Sequence, residues 1–101
     1  MENLDKIAEK DPAMYKSLCQ IIDYLASTYG EKYAKSELNN EGIIYSPNLG
    51  KGFNMGNATK YISRYITTGF SKSEMPDDLK KSIHYCLFEY TRKVNKDATG
   101  I

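Results

Sequence analysis

Apolar residues recur every three or four positions over three long stretches of this chain, which is the period of an amphipathic α-helix. The stretches cover about residues 11–29 and 54–68 and resume at residue 76. Asp11 and Pro12 open the first stretch, and both residue types are favoured where a helix begins. The sequence therefore predicts an all-α, or nearly all-α, domain in which three main amphipathic helices pack together.

Each of these helices carries one predicted core stripe. Because the stripe residues fall on one side of their helix, we expect the three stripes to face one another. They are Met14, Leu18, Ile21, Ile22, Leu25 and Tyr29 in the first helix, Met55, Ala58, Thr59, Ile62, Tyr65 and Ile66 in the second, and Leu79, Ile83, Cys86, Leu87, Tyr90 and Val94 in the third.

Shorter segments separate the three helices. We predict a short helix over 31–39, an extended segment over 43–45 that either pairs with another copy or forms a lid, and a flexible basic loop over 50–52. The chain ends, 1–10 and 95–101, are expected to be loosely ordered. The 101 residues form a single domain in this interpretation.

Composition limits the partners that this chain can have. Only 41% of its 101 residues are hydrophobic, so the core is modest and we expect a homo-oligomer. The formal charge of +1 argues against an extended nucleic-acid surface and requires any anion site to be local. Cys19 and Cys86 lie in apolar helical patterns, which is typical of reduced thiols in a cytoplasmic protein. No apolar run reaches the length of a membrane span, so no membrane partner is expected.

Opposite the core stripe of the second predicted helix lies a polar strip. Arginine and tyrosine are residue types that hold phosphates and stack on bases. The strip is therefore either a solvated face or a site for a phosphorylated ligand, and the sequence leaves both interpretations open. Its residues are Asn57, Lys60, Tyr61 and Arg64, with Lys51 in the basic loop before them.

The third predicted helix also has two different faces. The face away from its core stripe mixes aromatic residues with cations, which indicates either a protein interface or a ligand site. Its residues are Lys81, His84, Tyr85, Phe88 and Arg92. His84 is the only histidine and has no ligand partner at metal-binding spacing, so we assign no metal, cofactor or catalytic residue.

Two groups of residues resemble the pattern of a family of small bacteriophage proteins. The pattern is G-N-x-x-K-Y-x-x-R followed by D-L-x-K-A-x-x-Y, and the similarity covers about residues 52–90. The first group is Gly56-Asn57, Lys60-Tyr61 and Arg64, and the second is Asp78-Leu79-Lys80-Lys81 with Tyr85. The resemblance implies a phage origin and a link to nucleotides, and the family is often labelled as nucleotide kinase.

Kinase chemistry of the usual kind needs a G-x-x-x-x-G-K-[ST] loop to hold phosphates, and Gly50, Lys51 and Gly52 do not form that loop. The sequence therefore favours a binding protein over an enzyme of nucleotide metabolism. The leading hypothesis is a phage accessory protein that sequesters a phosphorylated ligand, such as a nucleotide or a cyclic nucleotide immune signal of the host. The alternative is a protein interaction module that inhibits a host protein through its aromatic face.

Overall fold

In the computed structural model, which describes residues 2–28, 40–67 and 75–99, all the regular elements are α-helices. They are α1 (Glu2–Lys10), α2 (Pro12–Thr28), α3 (Asn40–Ile44), α4 (Gly50–Thr67) and α5 (Met75–Thr99). The described residues contain no strand, so the all-α prediction is confirmed. The short helix predicted over 31–39 lies outside the described residues. None of the described helices has the length and apolar character needed to cross a membrane.

The first two helices form a nearly continuous unit around Asp11. The backbone N–H of Asp11 donates to the carbonyl of Ile7 at the end of α1. Its side chain Oδ1 accepts from the backbone N–H of Met14 at 3.0 Å, which is the geometry of a helix cap. The predicted start of the first long helix is confirmed. The structure differs at both chain ends, because 2–10 and 95–99 are helical where we expected loose order.

The helix α4 begins earlier than its apolar pattern predicts. Ser46 Oγ accepts hydrogen bonds from the backbone N–H groups of Asn48 and Leu49, at 3.2 and 3.1 Å. Ser46 therefore caps this helix, with Pro47 next to it as a residue that suits a first turn. Because the cap stabilises the first turn, the predicted flexible loop over 50–52 is wrong and these residues lie inside α4.

The predicted extended segment over 43–45 is also wrong. Ile43 and Ile44 belong to α3, and Tyr45 lies in the turn that follows. Ile44 is 1% exposed, and its carbonyl accepts a 3.0 Å hydrogen bond from Nδ2 of Asn54 in α4. The bond satisfies a carbonyl at the end of a short helix, so tertiary contact overrides the strand preference of these residues.

The core is built mainly from aromatic rings on α5 and their neighbours in α4. Tyr85 and Phe88 are buried and pack edge to face with ring centroids 5.7 Å apart. The ring of His84 stacks on Phe88 at 4.2 Å, and Phe53 of α4 packs edge to face on Tyr85 at 6.0 Å. Such ring pairs stabilise a core beyond the area that they bury.

The two faces of α5 are therefore the reverse of the predicted arrangement. The predicted interface residues His84, Tyr85, Phe88 and Arg92 are buried within the chain itself, whereas Lys81 is half-buried. The predicted core stripe faces outward, because Leu79, Ile83, Leu87, Tyr90 and Val94 are between 40% and 67% exposed. Large aromatic side chains bury more area than the leucine and isoleucine stripe, so they occupy the single core that α4 and α5 share.

The same reversal affects α4. Ala58 is buried as predicted, but Ile62, Tyr65 and Ile66 of the predicted core stripe are exposed. Tyr61, predicted on the opposite side, packs against the core cluster instead.

A buried polar network fixes the position of α5 against α4. Glu89 accepts hydrogen bonds from Nε and Nη2 of Arg92, at 2.9 and 2.7 Å, and a third from Nδ2 of Asn54 at 3.2 Å. Asn54 of α4 is fully buried, and its amide donates both to the carbonyl of Ile44 in α3 and to Glu89 in α5. One side chain thus links the three helices. The hydrogen bonds from Arg92, and then the one from Asn54, lower the pKa of Glu89 below its ordinary value of 4.5, while burial opposes them.

This network should make stability depend on pH. A lowered pKa in the folded state means that ionised Glu89 stabilises the fold above about pH 4.5, and that this contribution is lost as pH falls through the folded-state pKa. We expect Glu89→Gln to lower the free energy of unfolding at about pH 7 by about 1.5–3 kcal/mol and to flatten its decline below about pH 4.5. Urea unfolding across this pH range measures both effects. Glu9→Gln, at an exposed position of α1, should follow the parent curve, and equal curves for Glu89→Gln and the parent would exclude this role.

Candidate functional site

Tyr61 lies at the centre of a group of cations from two helices. Lys60 Nζ lies 4.7 Å from the centroid of the Tyr61 ring, and Arg64 Cζ lies 5.5 Å from it. Lys81 of α5 adds a third cation, with Nζ at 5.2 Å. Cations attract the electron-rich face of a tyrosine, so the ring holds together three charges that would otherwise repel one another. We call Lys60, Tyr61, Arg64 and Lys81 the Tyr61 cluster.

Contacts across the pair of helices fix the position of this cluster. The Tyr61 ring is stacked on Tyr85 of α5, with centroids 6.1 Å apart and 17° between the planes. Arg64 Nη2 lies 3.4 Å from Oδ1 of Asp78, whose side chain is buried, whereas half of the Arg64 side chain is exposed. The cluster is therefore supported from below by α5 and open to solvent above.

Beside the cluster lies a shallow cavity of about 500 Å³ between α2 and α5. It is lined by Gln20, Asp23, Tyr24, Ser27 and Lys80. Lys80 Nζ lies 5.8 Å from the centroid of the Tyr24 ring, so this cavity has its own pair of a cation and a tyrosine.

The hydroxyl of Tyr24 is the unusual atom of this cavity. It is buried, and within 2–28, 40–67 and 75–99 it has no hydrogen-bond partner. Burial, and then the nearby groups Tyr61, Tyr85 and Asp77, raise the pKa of Tyr24 above the ordinary value of 10.0. The hydroxyl therefore stays protonated at neutral pH, and because it is enclosed by the protein, Tyr24 lines the cavity with its other atoms.

The charges of this region favour an anion. Lys60, Arg64, Lys80 and Lys81 contribute four positive charges, whereas Asp23 of the cavity and Asp77 and Asp78 at the start of α5 contribute three negative ones. Because Asp78 is buried against Arg64, the solvent-facing surface is more positive than this sum. A chain with a formal charge of +1 thus has a local site for an anion.

The structure brings together only some of the predicted ligand-binding residues. Lys60, Tyr61 and Arg64 lie in the cluster, and Asn57 lies one turn before Tyr61 on the same side of α4. Asn57 Nδ2 donates to the carbonyl of Phe53 at 2.9 Å, which places its amide against its own helix.

Lys51 does not reach the cluster. It lies inside α4, nine residues before Lys60, which corresponds to about 13 Å along the helix. It lines a different cavity of about 700 Å³, together with residues that include Glu89, Arg92 and Lys93. The prediction that Lys51 joins the strip from a flexible loop is wrong, because the cap at Ser46 extends α4 to include it.

Sequence reasoning missed Tyr24, Asp78 and Lys80 as residues of this site and assigned Lys81 to an interface. The spacing of Asp78 and Lys81 within one turn of α5 was visible, but it could not show which turn of α4 lies opposite. Tyr24 gave no signal, because a single tyrosine between Asp23 and Leu25 belongs to no cationic strip of its own helix.

The site offers binding groups rather than a metal centre. Among the residues that the structure describes, no group of three or more His, Cys, Asp or Glu side chains could hold a metal ion. Cations and tyrosine rings can hold a phosphate and contact a base or sugar. Comparisons with models of protein families, with curated proteins and with solved structures give no match to this chain.

Proposed function

We propose that this chain is a bacteriophage accessory protein that sequesters a small phosphorylated ligand, such as a nucleotide or a cyclic nucleotide immune signal of the host. It acts in the host cytoplasm as a homo-oligomer and holds the ligand without converting it. The main observation in support of this proposal is the Tyr61 cluster, in which three cations from two helices lie close to the ring of one half-buried tyrosine.

The geometry of the cluster suits a phosphate. Arg64 presents a planar guanidinium that can hold two phosphate oxygens, and the buried Asp78 orients it from below. Lys60 and Lys81 add point charges close to the Tyr61 ring. These groups are in place before any ligand arrives, which lowers the entropic cost of binding.

The adjoining cavity suits the rest of a nucleotide. Its volume of about 500 Å³ falls within the usual range for small-molecule sites. Tyr24 offers an aromatic surface for a sugar or base, and Lys80 offers a second phosphate contact. A ligand with more than one phosphate would therefore use both halves of the site.

The phage-like pattern supports the same site. Its first half contains Tyr61 and Arg64, and its second half contains Asp78 and Tyr85. These residues meet as a stacked ring pair and an ion pair. The pattern therefore describes one three-dimensional unit, which is consistent with a shared binding role.

Removing single cations tests the site. We expect Arg64→Ala and Lys60→Ala each to weaken binding of nucleoside triphosphates or cyclic dinucleotides by roughly tenfold to more than a hundredfold. The loss of one charge-assisted contact, about 1.5–3 kcal/mol, corresponds to this change in Kd. Isothermal titration with a panel of these ligands gives the Kd, and the melting temperature reports folding.

Lys51→Ala is the matched control. It removes one positive charge from an exposed position of the same helix, about 13 Å from Lys60, and should change the Kd by less than about twofold. Equal losses in all three variants would show general attraction of anions instead of a site. Mass spectrometry of the ligand recovered after denaturation separates sequestration from catalysis, because a converted ligand would contradict sequestration.

A further inference from the structure

An unpartnered apolar stripe runs along the outer face of α5. It comprises Leu79, Ile83, Cys86, Leu87, Tyr90 and Val94, all of them exposed. The stripe spans 15 residue steps, or about 22 Å of helix. Exposed apolar surface of this extent is unusual in a monomer and marks an interaction site.

The centre of this α5 stripe forms a groove together with α4. The groove has a volume of about 540 Å³, and none of the described residues that line it is charged. Ile62 of α4 forms its far wall. A surface that lacks charge over this length is suited to another apolar helix rather than to a polar ligand.

The spacing of the stripe identifies the partner as a second copy. The steps between successive stripe residues are four, three, one, three and four, so the pattern is the same in both chain directions. When an identical helix packs against it in the antiparallel direction, every apolar residue meets an apolar residue. Leu79 then faces the partner's Val94, and Ile83 faces the partner's Tyr90. A symmetric dimer requires a self-complementary surface of this kind.

We infer that two copies pair through α5 about a two-fold axis, so that α4 and α5 of both copies form an antiparallel four-helix bundle. This inference rests on the homo-oligomer of the proposed function and names its contact surface. The axis passes between Cys86 and Leu87, at the middle of the stripe. The Cys86 side chains of the two copies therefore lie close together.

A charge in the stripe should dissociate the dimer. We expect light scattering at about 100 μM to give a dimer or an even multiple of it for the parent and a monomer or a halved assembly for Ile83→Glu. The far-UV circular dichroism of Ile83→Glu should be unchanged, because Ile83 is exposed in the single chain. Ile22→Glu is the matched control, since it makes the same change at an exposed site on α2, and it should keep the parent mass.

Oxidative cross-linking tests the position of the axis. Mild copper-catalysed oxidation should convert most of the parent and of Cys19→Ser into a disulfide-linked dimer, and Cys86→Ser should stay unlinked. If Ile83→Glu keeps the parent mass and Cys86 does not cross-link, the copies associate through a surface other than the α5 stripe, and the inferred interface is overturned. If the parent is monomeric, both the surface and the oligomer are overturned, whereas ligand binding at the Tyr61 cluster is judged by its own titrations.

Discussion

Phe88→Ala is expected to destabilise the fold by about 3–5 kcal/mol, because it removes a ring that is buried among other rings. Phe88 stacks on His84 at 4.2 Å and packs edge to face on Tyr85 and Tyr45. Truncation to alanine leaves a cavity between α3, α4 and α5 that these neighbours fill only in part. A domain of this size has about 5–15 kcal/mol of stability, so the variant should be close to unfolded.

The adjacent residue provides the control. Leu87 points outward and is 41% exposed, so Leu87→Ala should cost less than about 1 kcal/mol in a single chain. Both variants are compared in the Ile83→Glu background, where the loss of dimer contacts does not contribute. Urea unfolding gives the two free energies. If Leu87→Ala cost more than Phe88→Ala, the orientation of α5 described above would be reversed.

Gly50→Ala is expected to destabilise the fold by about 1–3 kcal/mol through overpacking. A Cβ atom at this position would lie close to the carbonyl oxygen of Ile44 and to Cδ of Arg92. The arginine side chain can move, but the backbone of α3 moves only by shifting the whole helix. The shift would also stretch the hydrogen bond from Asn54 to the Ile44 carbonyl.

Gly52→Ala, in contrast, should raise the free energy of unfolding. No atom of another part of the molecule lies within 4 Å of the added Cβ, and Gly52 is inside the same helix. Alanine replaces glycine in a helix interior with a gain of about 0.5–1 kcal/mol. The difference between the two melting temperatures should therefore be several degrees. Equal melting temperatures for the two variants would mean that α3 does not pack against Gly50.

Capping residues, which act within one helical turn, predicted the start of a helix correctly. Asp11 caps α2 and Pro12 is its first residue, as the start signal indicated. The same kind of signal at Ser46 and Pro47 was interpreted as the end of a strand, since two isoleucines and a tyrosine precede it. Isoleucine is β-branched and tyrosine is aromatic, and both residue types favour a strand. The bond from the distant Asn54 to the Ile44 carbonyl stabilises the helix instead.

The orientation of the long helices could not be predicted from periodicity. Both faces of α5 carry apolar side chains, and the period identifies the two faces without saying which one this chain buries. The aromatic face forms the intramolecular core because Phe53 and Tyr61 of α4 provide matching rings. These ring pairs join residues 32 and 24 positions apart in sequence. Such pairing depends on how the two helices are placed against each other, which the pattern of a single helix does not contain.

The sequence predicted only the residues of the candidate site that lie on α4. Lys60, Tyr61 and Arg64 share a side of α4 because of their spacing, and that spacing is visible in the sequence. Lys81 and Tyr24 belong to the site only because α5 and α2 lie beside this turn of α4. The site residues on α2 and α5 could be identified only once the packing of these helices against α4 was known.

The uneven burial of the helices also has a consequence for motion. In α1 and α2, Thr28 is the only fully buried residue among those described, whereas the core of α4 and α5 contains aromatic rings and the Asn54 network. Segments with few buried contacts open locally at a lower free energy than the global unfolding free energy. The α1–α2 unit can thus detach while the α4–α5 hairpin stays folded. Because Tyr24 lies on α2, such an opening would expose its enclosed hydroxyl to solvent and move the α2 wall of the cavity away from Lys80.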